Sequence, residues 1–131
     1  MKEIHLDSSF LIALEKVEDK HHESAIKHLF ALDDPQQKIC VSSVALTESL
    51  TGPYQHSVAT GEMVLGEFKK ILDDVVAIDE EIAILAAKRR AKSGMRAPDA
   101  LIIAAAQKHS AELWTYDQRM AKSYKEARLL K

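Results

Sequence analysis

Four acidic residues are placed where they could share one site, and the chemistry of such a site would be that of a metal ion. Asp7 and Asp117 follow predicted strands, whereas Glu48 and Asp99 lie in predicted helices. Four carboxylates that converged without a cation would repel one another and resist ionisation. Convergence would therefore imply a hard divalent cation such as Mg²⁺, which prefers oxygen ligands and combines carboxylates with substrate phosphate oxygens. Cys40 is the only cysteine, so no zinc-like cysteine spacing competes with this interpretation.

Each of these acids also has a simpler structural interpretation. Asp7 could turn the chain after its strand, and Asp117 could cap the helix that follows it. Asp99 could be a first-turn acid stabilised by the helix dipole, and Glu48 could be a solvated helix residue. The placement of Asp7 and Asp117 at the ends of two strands favours a shared site over four separate roles.

Short apolar runs alternate with amphipathic segments along the chain. Strands are predicted at residues 4–6, 39–41, 75–78, 113–115 and 127–130. Strands separated by helices pair in parallel through crossover connections, which predicts a three-layer α/β domain. In such sheets a ligand binds beyond the carboxyl ends of the strands, where the strand order reverses. Acids that directly follow a strand are therefore expected near the ligand.

Helices are predicted between these strands. They cover residues 10–14, 21–32, 44–51, 58–72, 80–93, 98–106 and a short segment from Gln118. The second should stop at Asp33-Asp34-Pro35 and the third at Gly52-Pro53. Asp79 should cap the fifth and Gly94 should end it. The helix after Pro98 is apolar almost all round, so it should be buried.

Four short blocks give the chain a family resemblance. They are Ile4-His5-Leu6-Asp7-Ser8-Ser9, Leu46-Thr47-Glu48-Ser49-Leu50, Ala97-Pro98-Asp99-Ala100-Leu101-Ile102 and Leu113-Trp114-Thr115-Tyr116-Asp117. In order and spacing they resemble the four acidic blocks of the PIN-domain family, and within it the VapC-type ribonuclease toxins of VapBC toxin–antitoxin pairs. The resemblance covers nearly the whole chain, so residues 1–131 are expected to form a single PIN-like nuclease domain.

The resemblance implies an α/β/α fold with a mostly parallel sheet of about five strands and an acidic pocket for Mg²⁺ or Mn²⁺. Asp7 and Asp99 would be the principal metal ligands, directly or through water. Glu48 and Asp117 would complete the pocket and hold a second ion or activate water. All four would then be catalytic residues.

Two hydroxyl side chains beside the acids, Ser8 and Thr115, are expected to support them. Tyr116 stands where the family often has asparagine, so the chain lacks an amide that could orient an acid or a substrate oxygen. The fourth block is therefore the place where this chain departs from the family, and the departure concerns Asp117.

The resemblance also implies a reaction and partners. The reaction would be hydrolysis of RNA phosphodiester bonds by metal-activated water. Arg90, Arg96 and Arg119 are expected to hold flanking phosphates, contacts that position a strand without reading its sequence. Single-stranded or looped RNA is the expected target because its bases can be splayed out.

The family's usual partner is a small antitoxin whose C-terminal segment lies in a groove and blocks the acids, and homodimers are usual as well. The predicted helices at residues 10–14 and 58–72 could leave an apolar groove open for such a partner. Most of the apolar residues of the helix at residues 58–72 are nevertheless expected in the core, namely Met63, Val64, Leu65 and Phe68.

Length and composition limit the alternatives. A chain of 131 residues with 47% hydrophobic and 29% charged residues fits one compact folded domain. The formal net charge of −2 gives no global basic field for nucleic acid, so positive charge must come from local clusters or from the metal. No apolar stretch approaches the roughly 20 residues of a membrane span, and the start lacks signal-peptide features. Cytoplasmic residence away from membranes is expected.

Other residues that could carry chemistry have simpler interpretations. His21, His22 and His28 could form a metal site but are expected on the exposed face of an amphipathic helix. Cys40 is expected to be a small core residue of its strand. Trp114 is expected to pack in the core rather than stack on a base.

Three other functional classes fit part of the pattern. A haloacid-dehalogenase-type phosphatase needs a second aspartate two positions after the first, where Ser9 stands. A response-regulator receiver needs a phosphoacceptor after the third strand, and Asp79 there is better explained as a helix cap. A non-catalytic PIN-like module for protein or RNA binding stays an alternative. The four acids argue against it, whereas Tyr116 and the missing basic excess argue for it.

Overall fold

Five strands, each followed by one or two helices except the last, form the part of the chain that the computed structural model describes, residues 2–32 and 35–131. In chain order they are β1 (Lys2–Leu6), α1 (Ser8–Glu15), α2 (His22–Ala31), β2 (Gln37–Ser42), α3 (Ser43–His56), α4 (Val58–Ile71), β3 (Asp74–Val76), α5 (Glu80–Ser93), α6 (Ala97–Lys108), β4 (Glu112–Thr115), α7 (Gln118–Ser123) and β5 (Ala127–Leu129). Asp33 and Asp34, which were expected to stop α2, lie outside the described residues. Within those residues, none of the helices combines the length and the apolar character that a membrane crossing requires.

The strands form one sheet in the order β3-β2-β1-β4-β5, and every neighbouring pair is parallel. The predicted three-layer α/β/α fold is confirmed, with a sheet that is parallel throughout. The chain places β2 and β3 on one side of β1 and then crosses to place β4 and β5 on the other. The strand order therefore reverses at β1, and the crevice beyond the carboxyl ends of β1 and β4 is where a ligand is expected.

Two apolar clusters hold the helices to the sheet. The larger joins the inner residues of β1 to α1, α3, α4 and α6, and the smaller joins Cys40 and Val76 to α5 and α6. In α6, Ala100 and residues 102–106 are all buried, which confirms the prediction made from its uniform apolar character. Cys40 and Trp114 are buried, also as predicted.

Helix caps and strand ends agree with the predictions to within a few residues. Asp79 accepts the N–H of Ile82 at 2.9 Å and begins α5, and Gly94 ends that helix with a left-handed φ of 68°. Strand β3 ends at Val76, two residues before the predicted end at Ile78. Ile78 instead packs, half-buried, against the smaller apolar cluster.

The prediction that Gly52 and Pro53 end α3 was wrong, because the helix continues to His56. Pro53 is buried in the last turns of α3, and its carbonyl still accepts the N–H of residue 57. The ring of Tyr54 lies so close to α4 that a Cβ atom on Gly61 would be 2.2 Å from it. Packing of α3 on α4 thus stabilises a turn that local sequence preferences would have ended.

Candidate active site

Asp7 lies at the carboxyl end of the central strand and begins α1. Its side chain is 4% exposed and accepts the backbone N–H of Ser8 at 2.8 Å as the N-cap of that helix. Its own N–H donates to the carbonyl of Trp114 at 2.9 Å, which joins the end of β1 to β4. Asp7 therefore stands in the crevice where the strand order reverses.

Two hydroxyl groups hold the same oxygen of Asp7. Oδ2 accepts a hydrogen bond from Thr115 at 2.7 Å and another from Ser9 at 2.9 Å. The Thr115 hydroxyl in turn accepts the backbone N–H of Asp117 at 2.9 Å, and the Ser9 hydroxyl accepts that of Tyr116 at 3.0 Å. Thr115 thus contacts an acid, as predicted. Ser9 was missed, although a hydroxyl two residues after a strand-end aspartate and within the first helical turn was a usable signal.

Glu48 is connected to Asp7 through hydrogen bonds of Ser8. Ser42 caps α3 by accepting the N–H of Ala45 at 3.1 Å, and the half-buried Glu48 follows one turn later. The hydroxyl of Ser8 donates to Oε1 of Glu48 at 3.0 Å, while the N–H of the same residue donates to Asp7. Ser8 therefore contacts both acids at once.

Asp99 lies in the first turn of α6 and is paired with Arg96. The guanidinium donates to both carboxylate oxygens, each at 3.3 Å, and the Asp99 side chain is 26% exposed. These bonds and the charge of Asp99 raise the pKa of Arg96, with smaller contributions from the charges of Glu48 and Asp117. Arg96 therefore lies among three of the four predicted acids.

Asp117 is exposed at the start of α7. Its side chain accepts the N–H of Arg119 at 2.8 Å and that of Met120 at 3.4 Å, so it caps the helix. Its charge also raises the pKa of Asp7. The simpler interpretation of Asp117 as a cap is correct, and the same carboxylate borders the site.

Burial is the main cause that raises the pKa of Asp7 above its ordinary value. Hydrogen bonds from Thr115, Ser9 and Ser8 act in the opposite direction without cancelling it, and the nearby negative charge of Asp117 adds to the rise. The surroundings therefore make ionisation of Asp7 less favourable than in water, and a nearby cation would offset this effect.

The donor set fits a hard divalent cation. The four acids offer only carboxylate oxygens, which are the ligands of Mg²⁺ and Mn²⁺. Among the described residues, no three of these acids bring ligand oxygens within 4.8 Å of one another. Such spacing suits an ion that keeps several of its waters, as Mg²⁺ does.

A cleft of about 460 Å³ lies between α6 and α7, and Asp99 is the one of the four acids that lines it. It is lined by Arg96, Asp99, Arg119 and Lys122 together with residues 93–95. Of the three predicted phosphate contacts, Arg96 and Arg119 line this cleft, whereas Arg90 lies outside its lining and donates to the carbonyl of Met95 at 3.1 Å. Lys122 is a further cation of the cleft that was not among those three.

An apolar groove of about 290 Å³ lies between α1, α2 and α4. Its lining consists of Leu14, Leu29, Met63, Val64, Phe68 and Ile71, with Glu15 and Glu67 beside them. The expectation of an open groove between the first helix and α4 is met. Met63 was expected in the core but is 62% exposed, because it faces this groove rather than the sheet.

The side chain of Tyr116 faces α2. Its hydroxyl lies 2.7 Å from that of Ser24, and its ring stacks on His21 with centroids 4.2 Å apart. The departure from the family pattern thus affects packing, while the backbone N–H of Tyr116 still bonds to Ser9.

The prediction that three histidines lie on an exposed helix face was wrong. His21 stacks on Tyr116, Nδ1 of His22 is 2.8 Å from the carbonyl of Ala13, and His28 packs against the ring of Trp114. All three are half-buried, because α2 packs against α1 and β4 and the residue before α2 stacks on Tyr116. In the part of the chain that the structure describes they form no metal-binding cluster.

Comparison with known proteins relates this geometry to a family. Among solved structures, VapBC2 from Rickettsia felis bound to a fragment of its promoter DNA has a TM-score of 0.80 at 18% identity, covering 98% of this chain and 99% of that chain. A toxin–antitoxin complex from Klebsiella pneumoniae has a TM-score of 0.77 at 22% identity, covering 95% of each chain. VapC20 of Mycobacterium tuberculosis, a toxin that cleaves the sarcin–ricin loop, has a TM-score of 0.74 at 20% identity, covering 92% of this chain and 94% of that chain. Identities this low show a shared fold.

Among curated proteins none matches the chain. The family model of the PIN domain matches residues 4–126, which is nearly the whole length. The chain therefore belongs to the PIN domain family.

Proposed function

We propose that this protein is a metal-dependent endoribonuclease and the toxin of a type II toxin–antitoxin pair. The observation that carries the proposal is the position of Asp7. This carboxylate is buried where the strand order reverses, is held by two hydroxyls, and borders three further acids. A site of this kind in a PIN domain suits metal-assisted hydrolysis of a phosphodiester.

Mg²⁺ or Mn²⁺ is the proposed cofactor. Asp7 and Asp99 would hold it, and Glu48 and Asp117 would complete the pocket. When bound, such an ion lowers the pKa of a water ligand and offsets the negative charge of the reacting phosphate. The raised pKa of Asp7 supports this assignment, since a nearby cation would stabilise the ionised carboxylate that burial disfavours.

The protein's own groups would hold and orient the acids and the substrate. Thr115 and Ser9 would fix the carboxylate plane of Asp7, and Ser8 would hold Glu48. Arg119 and Lys122 would bind the phosphates on either side of the reacting phosphate. Arg96 would join them when a metal ion replaces its guanidinium as the partner of Asp99. These contacts bind the RNA backbone and do not read its sequence. We expect single-stranded or looped RNA as the target, because its unpaired bases can be splayed out.

The antitoxin would bind in the apolar groove between α1, α2 and α4. Its apolar walls suit the hydrophobic face of a peptide, and Glu15 and Glu67 would attract basic residues of that peptide. The structures from Rickettsia felis and Klebsiella pneumoniae are toxin–antitoxin complexes of the same fold. VapC20, of the same fold, cleaves RNA at the sarcin–ricin loop. Homodimerisation stays a prediction from the family.

The test is cleavage of a pool of structured RNAs, one of which contains a sarcin–ricin loop, in Mg²⁺, Mn²⁺ or EDTA. We expect cutting that requires the metal and falls by roughly 10²-fold or more in Asp7→Asn and in Asp99→Asn, the scale of a lost electrostatic contribution. Glu62→Gln, an exposed acid of α4, is the matched control and should cut normally. Full activity in both aspartate variants would overturn the proposed pocket. RNA binding without cutting under any metal would favour the non-catalytic module.

A further inference from the structure

A second group of metal-binding side chains lies on the sheet, apart from the acidic pocket. Glu3 and His5 project from the same face of β1, and Cys40 on β2 is the strand partner of His5. A ligand atom from each of these three residues lies within 4.8 Å of the other two. No other trio of histidine, cysteine or acidic residues in segments 2–32 and 35–131 meets this spacing.

A fourth side chain joins the group through Glu3. The fourth side chain is that of His109, the residue that follows α6. Oε1 of Glu3 is 3.1 Å from Nε2 of His5 and also 3.1 Å from Nδ1 of His109. The Cys40 thiol also lies within 4.8 Å of the Glu3 carboxylate. Ligand atoms around a tetrahedral zinc ion with bonds of about 2.0–2.3 Å are about 3.3–3.8 Å apart, so Glu3, His5 and Cys40 need modest adjustment. His109 forms no such trio with them, so its side chain must move towards the ion to join as a ligand.

Two side chains of this cluster are buried within the sheet. His5 is 1% exposed and Cys40 is fully buried. Nδ1 of His5 is buried and has no hydrogen-bond partner among the described residues. Nε2 of the same ring is the nitrogen that faces Glu3, at 3.1 Å, and Nδ1 lies across the ring from it. Nε2, the Cys40 thiol and the Glu3 carboxylate are therefore the buried or half-buried groups that could hold an ion together.

The cluster can be reached from solvent. Glu3 and His109 line a cleft of about 610 Å³ at the amino-terminal edge of the sheet, opposite the acids that follow the strands. The His109 side chain is 30% exposed and the Glu3 side chain 18% exposed. An ion could therefore enter past these two residues to the buried pair behind them.

We propose that these side chains form a structural zinc site, made by Glu3, His5, Cys40 and His109. Imidazole, thiolate and carboxylate together are typical zinc ligands and are unlike the all-oxygen set of the acidic pocket. With His109 moved onto the ion as the fourth ligand, no position would be left open, and the ion would connect β1, β2 and the residue that follows α6. On binding, the Cys40 thiol releases its proton to solvent, because the thiolate is the form that coordinates zinc.

The test is zinc binding by the full chain after treatment with a chelator, measured by calorimetry and elemental analysis with Zn²⁺ alone. We expect one ion per chain and a rise in melting temperature on binding. Cys40→Ser and His109→Ala should each weaken binding by about tenfold or more, while His56→Ala, an exposed histidine of α3, should not change it. Co²⁺ in place of zinc should give the near-ultraviolet absorption of a thiolate complex, and Cys40→Ser should lose it.

Two further variants keep the outcome decisive. Because Cys40 is buried, Glu3→Gln tests the same site from the cleft side and should also weaken binding. Asp7→Asn should keep its zinc while it loses Mg²⁺-dependent cleavage, so failure of either proposal leaves the other standing. Absence of stoichiometric zinc binding, or unchanged affinity in both His109→Ala and Glu3→Gln, would overturn the site.

Discussion

The hydroxyl of Thr115 donates to Oδ2 of Asp7 at 2.7 Å, although 108 residues separate the two. The same hydroxyl accepts the backbone N–H of Asp117 at 2.9 Å. One side-chain oxygen thus orients the carboxylate at the end of β1 and the backbone at the start of α7. The two strand ends that form the crevice are connected at this atom.

Thr115→Val keeps the shape of the side chain and removes its hydroxyl. We expect RNA cleavage to fall about 10–100-fold, as for other residues that orient metal ligands. The N–H of Asp117 loses its partner, which should lower the free energy of unfolding by about 1–3 kcal/mol. Cleavage rates and urea denaturation measure the two effects. Thr115→Ser should restore most of both, and an equal loss in Thr115→Ser would contradict a role for the hydroxyl.

Asp7→Asn should stabilise the metal-free protein while it abolishes cleavage. Burial raises the pKa of Asp7 in the folded state, so the folded protein holds this proton more tightly than the unfolded chain. Its contribution to stability is therefore fully present below the unfolded pKa of about 3.9 and is lost as the pH rises through the raised folded pKa. In EDTA at pH 7 the variant should melt a few degrees higher than the wild type.

Melting curves in EDTA and in Mg²⁺ test this expectation. The ion should raise the melting temperature of the wild type and leave that of Asp7→Asn unchanged. Equal pH dependence of stability in the two proteins would show that Asp7 does not titrate abnormally.

Arg96→Ala should separate metal binding from RNA binding. Removing the guanidinium frees Asp99, so Mg²⁺ affinity should rise modestly. RNA affinity should fall, and the slope of log affinity against log salt should shrink by about 0.7, the value for one phosphate contact on a single strand. Filter binding of a non-cleavable RNA analogue across a salt series gives the slope, with Mg²⁺ present so that Arg96 is released from Asp99. Arg90→Ala is the matched control, since Arg90 lies outside the cleft lining, and it should leave the slope nearly unchanged.

Two glycines of α4 should respond in opposite ways to alanine. Gly66 has no atom within 4 Å of the place where a Cβ would stand, so Gly66→Ala should stabilise the helix by about 0.5–1 kcal/mol. A Cβ on Gly61 would lie 2.2 Å from the ring of Tyr54, so Gly61→Ala should destabilise the protein by about 1–3 kcal/mol. Chemical denaturation compares them. Stabilisation by both would show that Tyr54 does not pack on α4 as described.

Local signals predicted most of the fold. The caps at Asp79 and Asp117 and the terminating Gly94 depend on nearby residues only, and each was predicted correctly. The parallel sheet followed from strands separated by helices. Errors arose where distant segments meet. Helix α3 continues past Pro53 because α4 packs on it, and His21 is half-buried because Tyr116 stacks on it.

The candidate site divides in the same way. The four acids were predicted from their positions after strands and within helices and from blocks that resemble those of the family. The hydroxyl of Ser9 and the pairing of Arg96 with Asp99 were not, because both are properties of side-chain geometry. The cluster around Glu3 was missed for a similar reason. Its residues come from β1, β2 and the end of α6, and no sequence spacing connects them.

The position of β4 beside β1 also has a consequence for synthesis on the ribosome. A chain grows by roughly 5–20 residues per second, so Asp7 waits on the order of ten seconds for Thr115 to be added. During that interval the growing chain lacks Thr115 and Asp117, and for most of it Asp99 as well. The proposed cutting site is therefore incomplete while the chain is still attached to the ribosome that is making it. The groove formed by α1, α2 and α4 is encoded earlier, so the proposed antitoxin could bind the nascent protein before the four acids are all present.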